Sequence, residues 1–340
     1  MGDQITRKVT YFPLQAHCFA FGGFEVQMLS AFKAVKNFGY DGLSLSKVDV
    51  WSRIADFDVA HFWGLEIDNF SNLIWAKKSG KKVVLTALFG YYETFLLKAK
   101  NFASRYLHAG RFRLEMLKYV DILVVVSDEQ KILANKYYGF SEDRIIVIPN
   151  IVSNEFMTLT KRVLPLGLPF QQYVLCVGNV CQRKNQEILI DAVVKLGLNL
   201  VLVGKPIAGE RSYVSRVEEK VNLNKNIIWI EGLREGSEEL VSLVQNCSVF
   251  ALPSFSETQP ISMLEAAFCA KPLLTGNRAY AKQKFYQNAM LVNPNSLSAI
   301  QIGLESVVRD PIKYVSPSIY LTECTEEAVG QAYSNIYLSI

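Results

Sequence analysis

Two carboxylates eight residues apart are the most informative chemical feature of this sequence. Glu257 follows a strand-like run that ends at Pro253, and Glu265 lies within a segment of helical spacing. Between them falls a helix N-terminus, whose unpaired amides and positive dipole end form an anion site. Carboxylates accept hydrogen bonds from sugar hydroxyls, and the amides hold a phosphate. This pattern therefore indicates a nucleotide-sugar site.

Basic residues and glycines at other strand ends extend the pattern. Arg183 and Lys184 follow Gly178 across a short loop and open a helix. Cations beside a helix start stabilise the charge that grows on a departing diphosphate, although a solvated pair at a helix end is the alternative. Gly178, Gly204 and Gly232 end strand-like runs, where parallel sheets gather their ligands.

Strand and helix patterns alternate along nearly the whole chain, which predicts an α/β fold with parallel sheets covered by helices. Strands are predicted at 9–14, 58–63, 82–86, 121–127, 144–149, 173–178, 200–204, 227–230 and 249–252. Residues 157–171 contain two prolines and a glycine without a clear period, so they are predicted to be a linker. A length of 340 residues favours two domains.

The second half of the chain resembles the family-4 type retaining glycosyltransferases of the GT-B fold, the glycosyl transferases of group 1. The resemblance is carried by ordered motifs over residues 173–275: the strand ending at Gly178, Arg183-Lys184-Asn185, Leu202-Val203-Gly204, Glu231-Gly232-Leu233, Leu252-Pro253-Ser254, and Glu257 through Glu265. It implies two Rossmann-like domains that face each other across a cleft. Residues 1–160 would bind the acceptor and residues 170–322 the nucleotide sugar, with a C-terminal helix at 325–340 crossing back onto the first domain.

The resemblance also implies residue roles. Glu265 would accept hydrogen bonds from the ribose, and Glu257 would contact the donor sugar. The family's Gly-Phe-Gly is replaced by Thr258-Gln259-Pro260, in which proline removes one amide donor. The predicted catalytic set is Glu257, Lys184 and His61, of which His61 is taken from its place at a strand end, because the family's His on the next strand is replaced by Thr86-Ala87-Leu88. The donor-binding set is Gly22, Gly23, Gly178, Arg183, Lys184, Gly204, Leu233, Thr258, Gln259, Ile261, Ser262 and Glu265.

Three of these positions have alternatives in the residues themselves. The pair Gly22-Gly23 matches a Gly-rich loop of the family, but two glycines between a strand and a helix are often only a turn. His61 ends a strand, and a structural histidine is as good an interpretation as a catalytic one. The family's Arg after the first strand glycine is Asn179 here, so Lys184 would carry the main charge.

Composition narrows the class of protein. The net charge of +4 is too small for a nucleic-acid binder. The six cysteines are scattered, several of them in apolar runs, which favours buried thiols over disulfides. No stretch is apolar enough to span a bilayer and no signal region follows the polar N-terminus. Asp56-Phe57-Asp58 resembles a metal-binding motif but precedes a strand, so we expect a structural turn, no essential metal and no cofactor.

Residues 91–119 mix aromatic side chains with an excess of Lys and Arg. Such a mixture suits an anionic membrane surface or a lipid diphosphate acceptor. A solvated helix face that packs through its aromatic side explains the pattern equally well.

The sequence therefore predicts a cytoplasmic retaining glycosyltransferase, with peripheral binding to the inner face of the membrane as an open alternative. It would move a sugar from a nucleotide-diphosphate sugar to a hydroxyl of a glycan or lipid-linked glycan in cell-surface polysaccharide biosynthesis. Two alternatives stay open: a GT-B-fold nucleotide-sugar epimerase, and a non-catalytic subunit that binds a nucleotide sugar.

Overall fold

The computed structural model describes residues 6–18, 22–91, 108–157 and 167–340. The chain divides into two compact units. Unit 1 contains Met1–Ile151 and Glu323–Ile340, and unit 2 contains Val152–Thr322. The boundary thus precedes the predicted linker, of which residues 158–166 lie outside the described ranges.

Unit 1 is built on one parallel sheet. Its strands are β1 (Arg7–Phe12), β2 (Leu43–Lys47), β3 (Val59–Trp63), β4 (Lys82–Thr86), β5 (Ile122–Val125) and β6 (Ile145–Val147). They lie in the order β2-β1-β3-β4-β5-β6. The helices described in this unit are α1 (Gly23–Phe38), α2 (Phe70–Lys78), α3 (His108–Leu117), α4 (Asp128–Tyr138) and, from the end of the chain, α11 (Glu326–Ser339).

Two apolar layers cover the sheet of unit 1, because its central strands are apolar on both faces. On one face, α1 and α11 pack against β1 and β3 around Tyr11 and Trp63. On the other face, α2, α3 and α4 pack around Phe62 and Leu85. The C-terminal helix therefore belongs to the core of the first sheet, although unit 2 precedes it in sequence.

Unit 2 repeats the arrangement. Its strands are β7 (Val174–Val177), β8 (Leu200–Val203), β9 (Ile227–Ile230), β10 (Val249–Leu252), β11 (Leu273–Gly276) and β12 (Met290–Val292). Its helices are α5 (Asn154–Met157), α6 (Gln186–Lys195), α7 (Arg211–Leu223), α8 (Glu238–Asn246), α9 (Ile261–Phe268) and α10 (Leu297–Arg309). The sheet order is β12-β11-β10-β7-β8-β9, and every pairing is parallel.

All nine predicted strands are present, and the structure adds β2, β11 and β12. β2 reads Leu-Ser-Leu-Ser-Lys, an alternation typical of a strand with one buried face, and it lies at the sheet edge. β11 and β12 have only four and three residues.

Candidate donor site at the carboxyl edge of the unit 2 sheet

Four neighbouring strands of unit 2 bring the predicted donor residues to one edge. Gly178, Gly204, Gly232 and Glu257 follow β7, β8, β9 and β10, which are adjacent in the sheet. Because the four strands are parallel, their carboxyl ends meet at the same edge. We call it the donor edge.

Glycine is required at two of these positions by the approach of neighbouring backbones. A Cβ on Gly204 would lie 2.0 Å from the carbonyl oxygen of Gly178. Gly178 itself has φ +149°, and a Cβ there would lie 3.0 Å from Cε of Lys184. The two strand ends are therefore packed backbone to backbone, and the Lys184 side chain crosses over them.

Asn185 holds the basic segment in place. It adopts a left-handed conformation at φ +62° between a 3-10 turn over Gln182–Lys184 and α6. Its buried Nδ2 donates to the carbonyl oxygens of Pro253 at 3.1 Å and Pro294 at 2.8 Å. These bonds tie the Lys184 loop to the residues that follow β10 and β12. The sequence interpretation gave Asn185 no role, although asparagine after two basic residues at a helix start is a signal for this conformation.

Glu257 joins the two basic side chains in an ion-pair cluster. Its Oε1 lies 2.8 Å from Nζ of Lys184, and its Oε2 lies 2.7 Å from Nη1 of Arg183. The hydroxyl of Ser254 also donates to Oε1, at 3.0 Å. Burial alone would raise the pKa of Glu257, but the two cations outweigh it and hold that pKa below its ordinary value. One carboxylate and two cations leave the cluster with a net charge of +1.

The start of α9 lies beside this cluster, with Pro260 preceding its first residue. The first amides of a helix have no intrahelical acceptor, so those of Ile261 and Ser262 are available to a ligand. The Ser262 hydroxyl donates to the carbonyl of Val177 at the end of β7 and fixes the helix against that strand.

The segment before α9 differs from its sequence interpretation at one residue. Gln259 belongs to the predicted donor-binding set, but its side chain is buried and its Nε2 donates to Oε1 of Gln283 at 2.9 Å. Gln283 in turn donates to the carbonyl of Thr258 at 2.6 Å. Gln259 therefore stabilises the loop around Thr258, through a partner 24 residues away.

Glu265 is 4% exposed, on the second turn of α9. In the described ranges no Lys or Arg pairs with its carboxyl group. Burial, together with the neighbouring charge of Glu235, raises its pKa to about 8. Hydroxyl donors would offset the burial of such a carboxylate, because hydrogen bonds to the charged form favour it.

The ends of β8 and β9 are shaped by Gly232, which has φ +83°. A Cβ there would lie 2.8 Å from Cγ of Lys205, so the lysine stem crosses this glycine. Nε1 of Trp229 donates to the carbonyl of Gly204 at 2.9 Å. Leu233 follows in the loop and is half-buried.

In unit 1, His61 lies in the interior. Its Nδ1 is 2.6 Å from the Tyr337 hydroxyl and its Nε2 is 2.8 Å from the Thr86 hydroxyl. It has no exposed surface, and burial lowers its pKa to about 3. Both ring nitrogens are engaged and shielded from solvent, so the catalytic assignment of His61 is replaced by a structural one. Tyr337 belongs to α11, and the histidine therefore ties the C-terminal helix to the sheet.

Gly22 and Gly23 form the start of α1. The Gly22 amide donates to Oε2 of Glu25 at 2.8 Å, and a Cβ on Gly23 would meet no atom within 4 Å. Neither residue has a backbone conformation that requires glycine. Contacts with the described residues therefore do not explain why glycine occurs at both positions.

Asp56 and Asp58 of the metal-like motif have structural partners. Asp56 pairs with Nζ of Lys8 at 2.7 Å, and Asp58 accepts from the Lys8 amide at 2.8 Å. Across the described ranges, no three His, Cys, Asp or Glu side chains are grouped to hold a metal ion. All six cysteines are free thiols.

The basic and aromatic segment 91–119 is only partly described, because residues 92–107 lie outside the described ranges. In the part that is described, Arg113 pairs with Glu66 and Lys118 with Glu115. None of the helices in the described part of the chain combines the length and apolar character of a bilayer span.

Two family models match the chain in sequence. Residues 27–156 match the model described as Glycosyltransferase Family 4, and residues 169–321 match Glycosyl transferases group 1. The two matches cover most of both units. The chain belongs to the family-4 type glycosyltransferases of the GT-B fold.

Known relatives are distant. The serotype-specific mannosyltransferase WbdA of Escherichia coli is 24% identical over 230 residues, which are 62% of this chain and 28% of WbdA. The chain thus spans under a third of that relative. Alpha-galactosylglucosyldiacylglycerol synthase of Streptococcus pneumoniae is 24% identical over 334 residues, covering 84% of this chain and 85% of the synthase.

Solved structures agree on the fold. The structure of HepE from Anabaena in complex with UDP and glucose superimposes with a TM-score of 0.69 at 14% identity. It covers 98% of this chain and 100% of HepE. The two parallel six-stranded sheets with their helices are the α/β architecture of a two-domain GT-B glycosyltransferase.

Proposed function

We propose that this glycosyltransferase moves a sugar from a nucleotide-diphosphate sugar to a hydroxyl acceptor, with retention of anomeric configuration and without a metal ion. The observation that carries the proposal is the cluster of Lys184, Arg183 and Glu257 beside the start of α9. Net positive charge beside helix amides that lack an intrahelical acceptor supports the binding of a leaving diphosphate.

Each donor-edge residue has a role in this proposal. Lys184, Arg183 and the first amides of α9 bind the diphosphate, Glu257 contacts the sugar, and Glu265 accepts from the ribose hydroxyls. Gly178 and Gly204 let the ends of β7 and β8 approach each other closely beside the Lys184 side chain. The net charge of +1 and the first amides of α9 would stabilise negative charge on the leaving group, so this scheme uses no divalent ion.

Retention is what the resemblance to the family implies, and the state of Glu257 bears on the route by which it would occur. Both of its oxygens are held by cations, which makes it a poor nucleophile for a covalent sugar intermediate. We therefore favour a front-face route. The bond between C1 and the diphosphate oxygen breaks, the acceptor oxygen bonds C1 from the same face, and the departing phosphate oxygen takes the acceptor proton.

For the substrates, we propose a uridine- or guanosine-diphosphate sugar and a glycan or lipid-linked acceptor of cell-surface polysaccharide. HepE was solved with UDP and glucose, and the pneumococcal relative is named for a glycolipid product. These names support a nucleotide-sugar donor and an acceptor that can carry a lipid.

The test is a panel of nucleoside diphosphates and nucleotide sugars in a thermal-shift assay, because a ligand of the native state raises its melting temperature. The best donor is then incubated with acceptors, and the product's anomeric configuration is read by NMR, with and without EDTA. A retained, EDTA-insensitive glycoside is expected. Epimerised donor without acceptor would identify an epimerase, and binding without turnover a non-catalytic subunit.

A further inference from the structure

A pocket in unit 1 lies outside the donor edge. It has a volume of about 180 Å³ and opens near the carboxyl ends of β1 and β2, against α1. Tyr11, Met28, Leu29 and Phe32 form its apolar wall, and Lys47 supplies a charge. Pockets that take drug-sized ligands have volumes of roughly 300–1,000 Å³, so this smaller pocket holds only one part of such a ligand.

Lys47 occupies an unusual place in its strand. Leu43 and Leu45 of β2 pack against the core of unit 1, and Lys47 has the same parity, so it continues the core-facing row. It pairs in register with Tyr11 of β1. A charge on the inner row at the carboxyl end of a strand departs from the local pattern, as functional positions do.

The wall next to Lys47 is preformed. Tyr11 and Phe32 meet edge to face, with ring centroids 5.2 Å apart, and Nζ of Lys47 lies 5.4 Å from the Phe32 centroid. The Tyr11 hydroxyl is held 2.6 Å from that of Tyr337. None of the described residues that line the pocket is acidic. A ligand therefore meets an apolar wall with an ammonium at its edge, and no carboxylate among the described lining residues compensates that charge.

We propose that this pocket binds a phosphate ester that carries an apolar group, with the phosphate at Lys47 and the first carbons against Leu29 and Phe32. The inference rests on the proposed function, because it assigns unit 1 an acceptor of lipid-phosphate type. A neutral glycan would leave the ammonium unpaired, and inorganic phosphate would leave the apolar wall exposed.

The experiment is calorimetric titration of the full chain with octyl phosphate below its micelle concentration, alongside inorganic phosphate and octanol. Octyl phosphate is expected to bind at least about tenfold more tightly than either, since charge and apolar burial act together. Lys47→Gln keeps the side-chain stem and removes the charge. Its affinity for octyl phosphate should therefore fall about five- to tenfold, and its affinity for octanol should not change. Lys36→Gln, on the exposed end of α1, is the matched control and should bind like the wild type.

Leu29→Trp fills the pocket and should weaken octyl phosphate and octanol alike. Because Leu29→Trp could disturb folding, the deciding variant is Lys47→Gln, whose position is exposed. Unchanged affinity in Lys47→Gln, or an equal loss in Lys36→Gln, would overturn the proposal. Nucleoside diphosphate binding is measured in parallel: its absence would reject the proposed function while octyl phosphate still reported on the pocket.

Discussion

Nζ of Lys184 lies 2.8 Å from Oε1 of Glu257, and the side chains are 9% and 8% exposed. The pair joins the loop after β7 to the loop after β10. Arg183, which is half exposed, takes the other carboxylate oxygen. Removing either partner of an ion pair buried this deeply destabilises the fold, because the remaining charge is poorly solvated.

Replacing Lys184 with Ala should abolish sugar transfer, because the proposal assigns this cation to the leaving diphosphate. Arg183 still compensates Glu257, so we expect a stability cost of about 1–3 kcal/mol rather than unfolding. Turnover and urea denaturation measure the two effects separately. Lys195→Ala, at the exposed end of α6, is the matched control. Full activity in Lys184→Ala would exclude the assigned role.

Glu257→Gln should separate sugar recognition from diphosphate binding. The substitution raises the net charge of the cluster from +1 to +2, so a free nucleoside diphosphate should bind about two- to fivefold more tightly. Transfer should nevertheless fall steeply, because the contact to the donor sugar is lost. Calorimetric titration measures the affinity for the diphosphate, and a turnover assay measures transfer. Weaker diphosphate binding in the variant would show that the charge of Glu257 does not repel the phosphates.

Stability should depend on pH through Glu265. The pKa of its carboxyl is near 4.5 when unfolded and about 8 in the folded chain, so the folded state binds the proton more tightly. The contribution of Glu265 to the free energy of unfolding is fully present below pH 4.5 and is lost as the pH rises toward 8. Glu265→Gln should flatten this decline and be more stable than the wild type at pH 8.5, on the order of 1–3 kcal/mol. Denaturant titrations of both proteins at pH 5 and 8.5 measure the free energies of unfolding. An equal difference between variant and wild type at the two pH values would contradict the prediction.

The same variant should bind nucleotide more weakly, since Gln offers one acceptor oxygen to the ribose instead of two. In the proposed site, ribose hydroxyls would stabilise the ionised carboxylate of the wild type, so nucleotide affinity should rise with pH up to about 8.

His61→Leu should destabilise unit 1 by about 2–4 kcal/mol, because the buried hydroxyls of Tyr337 and Thr86 each lose one of their partners. Its folded pKa of about 3 lies below the ordinary 6.5, so in the wild type its contribution is lost as the pH falls from 6.5 toward 3. The variant should lack this acid sensitivity. Denaturation at pH 7 and 5 measures both effects. A fully stable variant without turnover would restore the catalytic interpretation.

Two glycines should respond in opposite ways to alanine. Gly204→Ala drives a Cβ to 2.0 Å from the Gly178 carbonyl and should lower stability by about 2 kcal/mol or more. Gly23→Ala adds a methyl into open space at an ordinary φ, so the melting temperature should stay the same or rise. A loss of turnover in Gly23→Ala at unchanged stability would indicate that a substrate approaches this helix start, whereas full turnover would leave it a simple turn.

The amino-acid sequence by itself determined the alternation of strands and helices, the GT-B family and the set of residues at the donor edge. Each of these depends on local patterns: apolar runs of strand length, glycines that end them, and two glutamates spaced around a helix start. A parallel sheet then brings strand ends together without further information, which is why Gly178, Lys184 and Glu257 could be grouped from the sequence.

Only the tertiary structure decided how these residues are used. Lys184 and Glu257 form an ion pair across 73 residues of sequence, Gln259 is captured by Gln283, and His61 is enclosed by a tyrosine 276 residues away. No periodicity encodes such pairings, because they depend on which loops and which terminal helix pack together. Burial then determines the pKa of Glu265 and of His61, and burial is a property of the packed molecule rather than of the local sequence.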